Sequence, residues 1–164
     1  MSSGILPEPA RLPDLPGVLT AADVSLSADY LVGTQSPDGA IPWFPGGHTD
    51  VWDHVECAMA LAAAGRTDAA HRAYTWLAGV QLADGSWPAK LRQNEPADHL
   101  REANHAAYPA VGVWHQLLIT GDEAAAAELW PTVRAGVEFA LHPRTQTMVS
   151  TAADVDWTVV GTEV

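Results

Sequence analysis

Two short clusters of polar residues carry the side chains that could do chemistry. The first is His48-Thr49-Asp50 with Asp53 and His54 behind it, and the second is Glu102-Ala103-Asn104-His105. Carboxylates placed near a histidine supply both a proton donor and a proton acceptor, which general acid–base catalysis requires. We predict three catalytic residues, Asp50, His54 and Glu102. We also predict five substrate-binding residues, which are His48, Trp52, Asp53, Asn104 and His105.

A metal-binding alternative involves Asp50, His54 and Cys57, which are spaced i, i+4 and i+7 and would share one face of a helix. That spacing permits zinc ligation from one side, but a zinc site needs three or four ligands that converge. Cys57 opens the apolar run Cys-Ala-Met-Ala-Leu, where a cysteine usually acts as a small buried hydrophobic residue. We therefore predict that the site holds no metal and needs no cofactor.

The composition limits the class of partner. The chain has 164 residues, enough for one domain, and its 8 Lys and Arg against 20 Asp and Glu give a formal charge of −12. Nucleic acids and anionic membranes bind basic surfaces, so this charge favours a small-molecule substrate instead. A single cysteine fits a reducing compartment. Because the sequence also has no signal peptide and no 18-residue apolar run, it predicts a cytoplasmic protein without membrane insertion.

Helical signals place both polar clusters at the beginnings of helices. We predict five helices, over about 20–34, 50–64, 67–82, 102–120 and 122–141. Thr49-Asp50 and Thr67 are suitable caps, and Pro109 and Pro131 should kink or break the last two helices. Period-2 alternation occurs only over 156–160, so the sequence predicts an all-α protein built from helical hairpins.

The two clusters occupy the same place in the repeated pattern. Aligning Gly65 with Gly121, the glycines that follow two helices, sets His48 opposite Asn104. Helix N-termini carry partial positive charge and free N–H groups, which favour anionic or hydroxyl-bearing ligands. We therefore predict that both clusters line the rim of one shared cavity.

A 46-residue repeat is the strongest pattern in the chain. Gln35, Asp38 and Gly39 recur as Gln81, Asp84 and Gly85 at the ends of two predicted helices, each followed by Trp and Pro. The second copy fits Q-x-x-x-G-x-W with its Trp at position 87, and the first has its Trp two positions late, at 43. This repeat resembles that of the prenyltransferase/squalene-cyclase superfamily over residues 30–141. The resemblance implies an α/α toroid in which the repeat Gln and Trp are structural.

The resemblance also implies a function. It indicates a prenyltransferase- or terpenoid-cyclase-like protein that binds an isoprenoid in a cavity lined by some of the seven tryptophans. Squalene-type cyclisation is not supported, since Asp154-Val155-Asp156-Trp157 lacks the last aspartate of the D-x-D-D motif. Two alternatives remain open: a glycan-acting enzyme that uses the same carboxylates, and a non-catalytic helical-repeat binding module.

The repeat also predicts the domain organisation. Residues 1–18 form a Pro-rich arm, 19–141 an incomplete toroid domain, and 142–164 an irregular tail without a further Asp-Gly turn. About two and a half hairpins are too few to close a toroid, so we expect either a truncated chain or an open array that forms a homodimer.

Overall fold

The computed structural model describes residues 14–141 and the backbone of 146–149 and 158–161. Its helices are α1 (Ala21–Thr34), α2 (Val51–Ala63), α3 (Thr67–Gly79), α4 (Ala103–Ala107), α5 (Pro109–Thr120) and α6 (Glu123–Ala140). Two short antiparallel pairs complete it: β1 (Lys90–Arg92) with β2 (Glu95–Asp98), and β3 (Gln146–Val149) with β4 (Thr158–Gly161). The prediction of an all-α fold is confirmed.

Side-chain caps fix where three of the six described helices begin. Thr20 and Asp23 form a reciprocal capping box at α1, and the carboxylates of Asp50 and Asp122 accept backbone N–H groups at the starts of α2 and α6. These starts agree with the sequence prediction. Thr67 is instead the first residue of α3, whose cap position, Arg66, makes no side-chain capping bond.

A proline divides the predicted helix over 102–120. Pro109 is the first residue of α5, and Tyr108 is shared between the end of α4 and the start of α5. The break follows from the missing N–H of proline and its clash with the preceding turn. Helix α6, in contrast, continues through Pro131 from Glu123 to Ala140.

The core lies on both sides of α2. This helix packs against α1, α3 and α5, while α6 packs against α3, α4 and α5. The fully buried side chains of α2 and α3 are mostly small, and they include Val51, Val55, Ala58, Leu61, Ala70, Ala73 and Leu77. Small side chains let the two helices approach closely, so α2 forms the centre around which the other elements are arranged.

The two repeat turns have the same hydrogen bonds. The amide nitrogen of Gln35 donates to the carbonyls of Gly39 and Ala69, each at 3.0 Å. Gln81 donates in the same way to Gly85 and Thr132, again at 3.0 Å. Each glutamine therefore closes its own turn and ties it to a later helix, so the structural role predicted for both glutamines is confirmed.

The hairpin β1–β2 is an element that the sequence analysis missed. Its turn consists of Gln93 and Asn94, which both adopt positive φ, 51° and 66°. The Asn94 amide accepts the indole N–H of Trp76 and donates to Asp38, both at 2.8 Å. These bonds attach the hairpin to α3 and to the first repeat turn.

The chain ends are only partly described. Most of the predicted arm over 1–18 and of the tail over 142–164, including Asp154 and Asp156, lies outside the described residues. Within that tail, the backbone of 146–149 pairs with 158–161, so these two stretches are regular rather than irregular. Among the described residues, no helix is long and apolar enough to cross a membrane.

Candidate active site

A cleft of about 590 Å³ opens between α1 and α2. Three segments line it: Tyr30, Leu31 and Thr34 of α1, Ile41, Pro42 and Trp43 of the following loop, and Asp53, Glu56, Cys57 and Ala60 of α2. The α2 wall supplies two carboxyl groups, and the loop supplies Trp43, whose side chain is 55% exposed. The cleft thus combines acidic groups with an exposed aromatic surface.

Asp50 lies next to the cleft and accepts hydrogen bonds from two residues that line it. One of its carboxylate oxygens accepts the backbone N–H of Asp53 at 2.9 Å, and the other accepts the indole N–H of Trp43. Asp50 is buried and does not line the cleft. The ring of His48 lies against Trp43, with centroids 4.5 Å apart. Asp50 and His48 therefore hold the tryptophan and the first turn of α2 in place.

Asp53 is a carboxyl group of the cleft with a raised pKa. Its pKa is raised to about 6, mainly by burial and in part by the nearby carboxylates of Asp50 and Glu56, because each disfavours a second negative charge. Such a carboxyl group retains a proton under mildly acidic conditions, where an ordinary aspartate is ionised. It can therefore act as a proton donor.

Glu56 is held by two aromatic side chains. Its Oε1 accepts the indole N–H of Trp52 and the hydroxyl of Tyr108, each at 3.0 Å. The rings of Trp52 and Tyr108 stack with centroids 3.9 Å apart and planes 5° apart. Trp52 was predicted to bind substrate, but its indole N–H donates to Glu56 instead. Glu56 and Tyr108 were not among the residues predicted from the sequence, although the i, i+4 spacing of Trp52 and Glu56 could have indicated the first bond.

His54, predicted to be catalytic, belongs to the core. It is completely buried, its Nδ1 accepts the N–H of Ile41 at 3.2 Å, and its Nε2 donates to the carbonyl of Ala73 at 2.9 Å. Burial lowers its pKa to about 4, so the ring is neutral at physiological pH. With both ring nitrogens bonded to backbone groups, His54 positions the loop and α3 and does not line the cleft.

The same geometry bears on the zinc alternative. Both nitrogens of His54 are already used, and burial raises the pKa of the Cys57 thiol to about 11, with Asp53 adding to the effect. A protonated thiol is a poor zinc ligand. Among the described residues, no group of three or more His, Cys, Asp or Glu side chains is arranged to hold a metal ion.

The second polar cluster lies at α4, where the side chains of Glu102 and His105 contact each other. Glu102 and His105 are 3.3 Å apart, and both are mostly buried. The side-chain oxygen of Asn104 and the Nδ1 of His105 are buried and make no hydrogen bond. None of these three residues lines the α1–α2 cleft. The predicted cavity shared by the two polar clusters is therefore not found in this cleft. The link between α2 and the α4–α5 junction is the hydrogen bond from Tyr108 to Glu56.

The two repeat tryptophans differ. Trp87 is 1% exposed, and its indole donates to the carbonyl of Leu77 at 2.9 Å, which confirms its structural role. Trp43, also predicted to be structural, is exposed and lines the cleft. Its position two residues late in the repeat sets it beyond the turn, where it reaches Asp50.

Comparison with known proteins identifies a similar glycan-acting enzyme. No family model matches the chain. The chain is 45% identical over 130 residues to the MMP endo-(1,4)-3-O-methyl-alpha-D-mannosidase of Mycolicibacterium hassiacum. That match covers 79% of this chain but 36% of the mannosidase, so the chain spans about a third of its relative's length. Because the match spans 130 of the 164 residues, it must include residues 35–130 wherever it begins. Asp53 and Glu56 therefore lie within the part of the chain that matches the mannosidase.

A second similarity is much shorter. Over 25 residues, 15% of the chain, it is 92% identical to the UvrABC system protein C of Thermobifida fusca and 80% identical to that of Beutenbergia cavernae. Each match covers 4% of the UvrABC protein. So short a stretch carries no argument about the cleft.

The mannosidase similarity corrects the functional interpretation of the repeat. The relative is named for an action on a glycan, so the assignment to the prenyltransferase/squalene-cyclase superfamily, with an isoprenoid substrate, is wrong. The glutamine and glycine pattern correctly predicted an architecture of helical hairpins, but this architecture does not specify which reaction the protein catalyses.

Proposed function

We propose that this chain carries the catalytic acid and base of a glycan hydrolase that cleaves α-linked, O-methylated mannose chains internally. The observation that carries the proposal is the pair Asp53 and Glu56 on one wall of the cleft, with the exposed Trp43 beside them. The 45% identity to the mannosidase supports the substrate class. Carboxylate pairs beside an aromatic surface suit a sugar, which presents hydroxyl groups at its edge and C–H groups on its faces.

The two carboxyl groups differ in the way that glycoside hydrolysis requires. One group must be protonated to donate to the leaving oxygen, while the other must be ionised to activate water or to attack the sugar. Asp53, whose pKa burial raises to about 6, takes the role of the acid. Glu56 accepts two hydrogen bonds at Oε1, which hold the carboxyl group in place and leave Oε2 to act as the base or nucleophile.

Trp43 supplies the binding surface. Its ring is exposed at the mouth of the cleft, and its N–H is fixed by Asp50, so the face of the indole is held in one orientation. A rigid aromatic side chain offers a large contact area at a small cost in conformational entropy. We therefore assign Trp43 to substrate binding and Asp50 to positioning it.

The test uses α-1,4-linked 3-O-methylmannose oligosaccharides. Binding is measured by calorimetry, and cleavage by chromatography of the products. We expect the chain to bind and cleave them, and Asp53→Asn and Glu56→Gln each to abolish cleavage while binding persists. Glu128→Gln, on the exposed face of α6, is the matched control and should cleave normally.

The other outcomes are equally informative. If the wild-type chain binds the oligosaccharides without cleaving them, the hydrolytic role is overturned in favour of a binding module. If it does neither, the glycan assignment itself is overturned. Cleavage that survives both Asp53→Asn and Glu56→Gln would exclude these two residues as the acid and base.

A further inference from the structure

A second cleft, of about 520 Å³, adjoins the candidate active site. Thr34 and Pro42 line both clefts, so the second continues from the first along the loop that follows α1. Its volume falls within the ~300–1,000 Å³ of typical ligand sites. None of the proposed acid, base and stacking residues lines it, so it is a distinct compartment of the same groove.

The lining of the second cleft combines apolar and polar groups. Pro37, Pro45 and Leu91 give it apolar walls, while Thr49, Gln93 and Asn94 supply hydroxyl and amide groups. An apolar wall favours a methyl ether, because burying a methyl group is favourable whereas burying an unpaired hydroxyl is costly. The polar groups suit the remaining sugar hydroxyls. This mixture therefore matches a partly methylated sugar better than either a bare sugar or a lipid chain.

The walls of this cleft are held rigidly before any ligand binds. Thr49 and Leu91 exchange two backbone hydrogen bonds of 2.8 Å, which connect the start of α2 to the hairpin. Asn94 bonds to Trp76 and Asp38, as described above. Another part of the lining is a turn at Pro45-Gly46, where Gly46 has a φ of 76° and the Gly47 N–H donates to the Phe44 carbonyl at 2.8 Å. A preformed cleft binds a ligand without the entropy cost of ordering its own walls.

We propose that the cleft between Pro45 and Asn94 is a distal subsite, which holds methylated sugars further along the chain from the glycosidic bond that Asp53 protonates. This inference rests on the proposed function. An enzyme that cuts within a chain must bind sugars on both sides of the cut, and the continuous groove provides room for them. The apolar wall of the second cleft favours sugars that carry methyl ethers over sugars with free hydroxyl groups.

The experiment uses a substitution that narrows the second cleft and leaves the first one unchanged. Pro45→Trp adds bulk to a residue that lines the second cleft and not the first. Pro96→Trp is the matched control, because Pro96 is exposed in the same hairpin and lines neither cleft. Affinities are measured by calorimetry for a methylated disaccharide, a methylated hexasaccharide and an unmethylated α-1,4-mannose hexasaccharide.

We expect Pro45→Trp to weaken binding of the methylated hexasaccharide about tenfold and to leave the disaccharide unchanged. Gln93→Gly should give a smaller loss in the same direction, and it keeps the fold because glycine readily adopts the φ of 51° found there. The wild-type protein should prefer the methylated hexasaccharide over the unmethylated one. Pro96→Trp should match the wild type.

Failure of the subsite is distinguishable from failure of the proposed function. If the wild type binds the hexasaccharide and both Pro45→Trp and Gln93→Gly bind it equally well, the subsite is overturned while the active site stands. Equal affinity for methylated and unmethylated hexasaccharides overturns the selection of methyl ethers. If the wild type binds no oligosaccharide at all, the proposed function fails first.

Discussion

The indole N–H of Trp43 donates to one carboxylate oxygen of Asp50, whose other oxygen accepts the N–H of Asp53. One buried carboxylate thus joins the exposed aromatic residue of the cleft to the proposed acid. The bond to Asp53 is also the N-cap of α2, so the cap of the helix and the geometry of the site depend on the same group. A helix cap that also orients a site residue should reveal itself through changes in both stability and binding.

Replacing Trp43 by phenylalanine tests this link. Trp43→Phe keeps an aromatic surface but removes the N–H, which leaves a buried oxygen of Asp50 without its donor. We expect a loss of about 1–3 kcal/mol in the free energy of unfolding, together with weaker oligosaccharide binding. Urea denaturation and calorimetry measure the two effects.

The control for this variant is Trp130→Phe, because Trp130 is 60% exposed on α6, away from the cleft. It should change neither quantity. A Trp43→Phe protein with wild-type stability would show that the hydrogen bond to Asp50 contributes nothing measurable to the fold.

The pKa of Asp53 should respond to its neighbour. Glu56 contributes to the raised value of about 6, so Glu56→Gln should lower the pKa of Asp53 toward its usual 3.8, although burial and Asp50 will keep it above that value. Carbon-13 NMR titration of the Asp53 carboxyl measures the change. Since hydrolysis needs the protonated acid, the wild-type rate should also fall as the pH rises through about 6.

The exposed Glu128 again provides the control, and Glu128→Gln should leave the Asp53 titration where it is. An Asp53 pKa that is ordinary in the wild type would remove the basis for its role as the acid. A raised value that Glu56→Gln does not alter would show that burial and Asp50 act without Glu56.

The repeat was predictable from sequence because its contacts depend on local geometry. Gln81 bonds to Gly85 four residues away, and Gly39 and Gly85 both need a positive φ at the same point of the turn. Such requirements appear directly as residue types at fixed spacing. Helix starts at Thr20 and Asp50 were predictable for the same reason.

The site was only partly predictable because its decisive contacts join distant segments. Tyr108 reaches Glu56 across 52 positions, a pairing that spacing alone does not indicate. His54 was predicted to be catalytic because its side chain is polar. Val55, Ala58 and Leu61 of the same helix, however, show that this part of α2 is buried. The position of His54 next to this apolar stripe could have indicated its role in the core.

The buried His54 should make the protein sensitive to acid. Its pKa is lowered to about 4 in the folded state from an ordinary 6.5, so between these values the unfolded chain binds a proton that the folded protein does not. Stability from this group is therefore lost as the pH falls from 6.5 to 4, by about 3 kcal/mol in total. His54→Gln should lower stability at pH 7 but remove this part of the pH dependence.

Urea denaturation at pH 7, 5.5 and 4.5 measures the slope, and the variant is compared with the wild type because the raised pKa of Asp53 acts in the opposite direction. His71→Gln, at a partly exposed position of α3, is the control and should keep the wild-type slope. If His54→Gln also keeps that slope, the acid sensitivity arises elsewhere.

The glycine of the second repeat turn should tolerate no side chain. Gly85 has a φ of 89°, and a Cβ atom placed on it would lie 2.3 Å from the carbonyl oxygen of Ala135 in α6. The obstacle is backbone, which cannot rotate away, so Gly85→Ala should cost about 2–4 kcal/mol in the free energy of unfolding. Gly39→Ala should cost a similar amount, since its Cβ would lie 2.3 Å from the carbonyl oxygen of Arg72.

Gly33 is the matched control, because it lies within α1 and a Cβ there would meet nothing within 4 Å. Gly33→Ala should stabilise the protein by about 0.5–1 kcal/mol, since alanine loses less backbone entropy than glycine in a helix. Urea denaturation at one pH compares all three variants. If Gly85→Ala were as stable as Gly33→Ala, the close approach of the turn to α6 would not be a requirement of the fold.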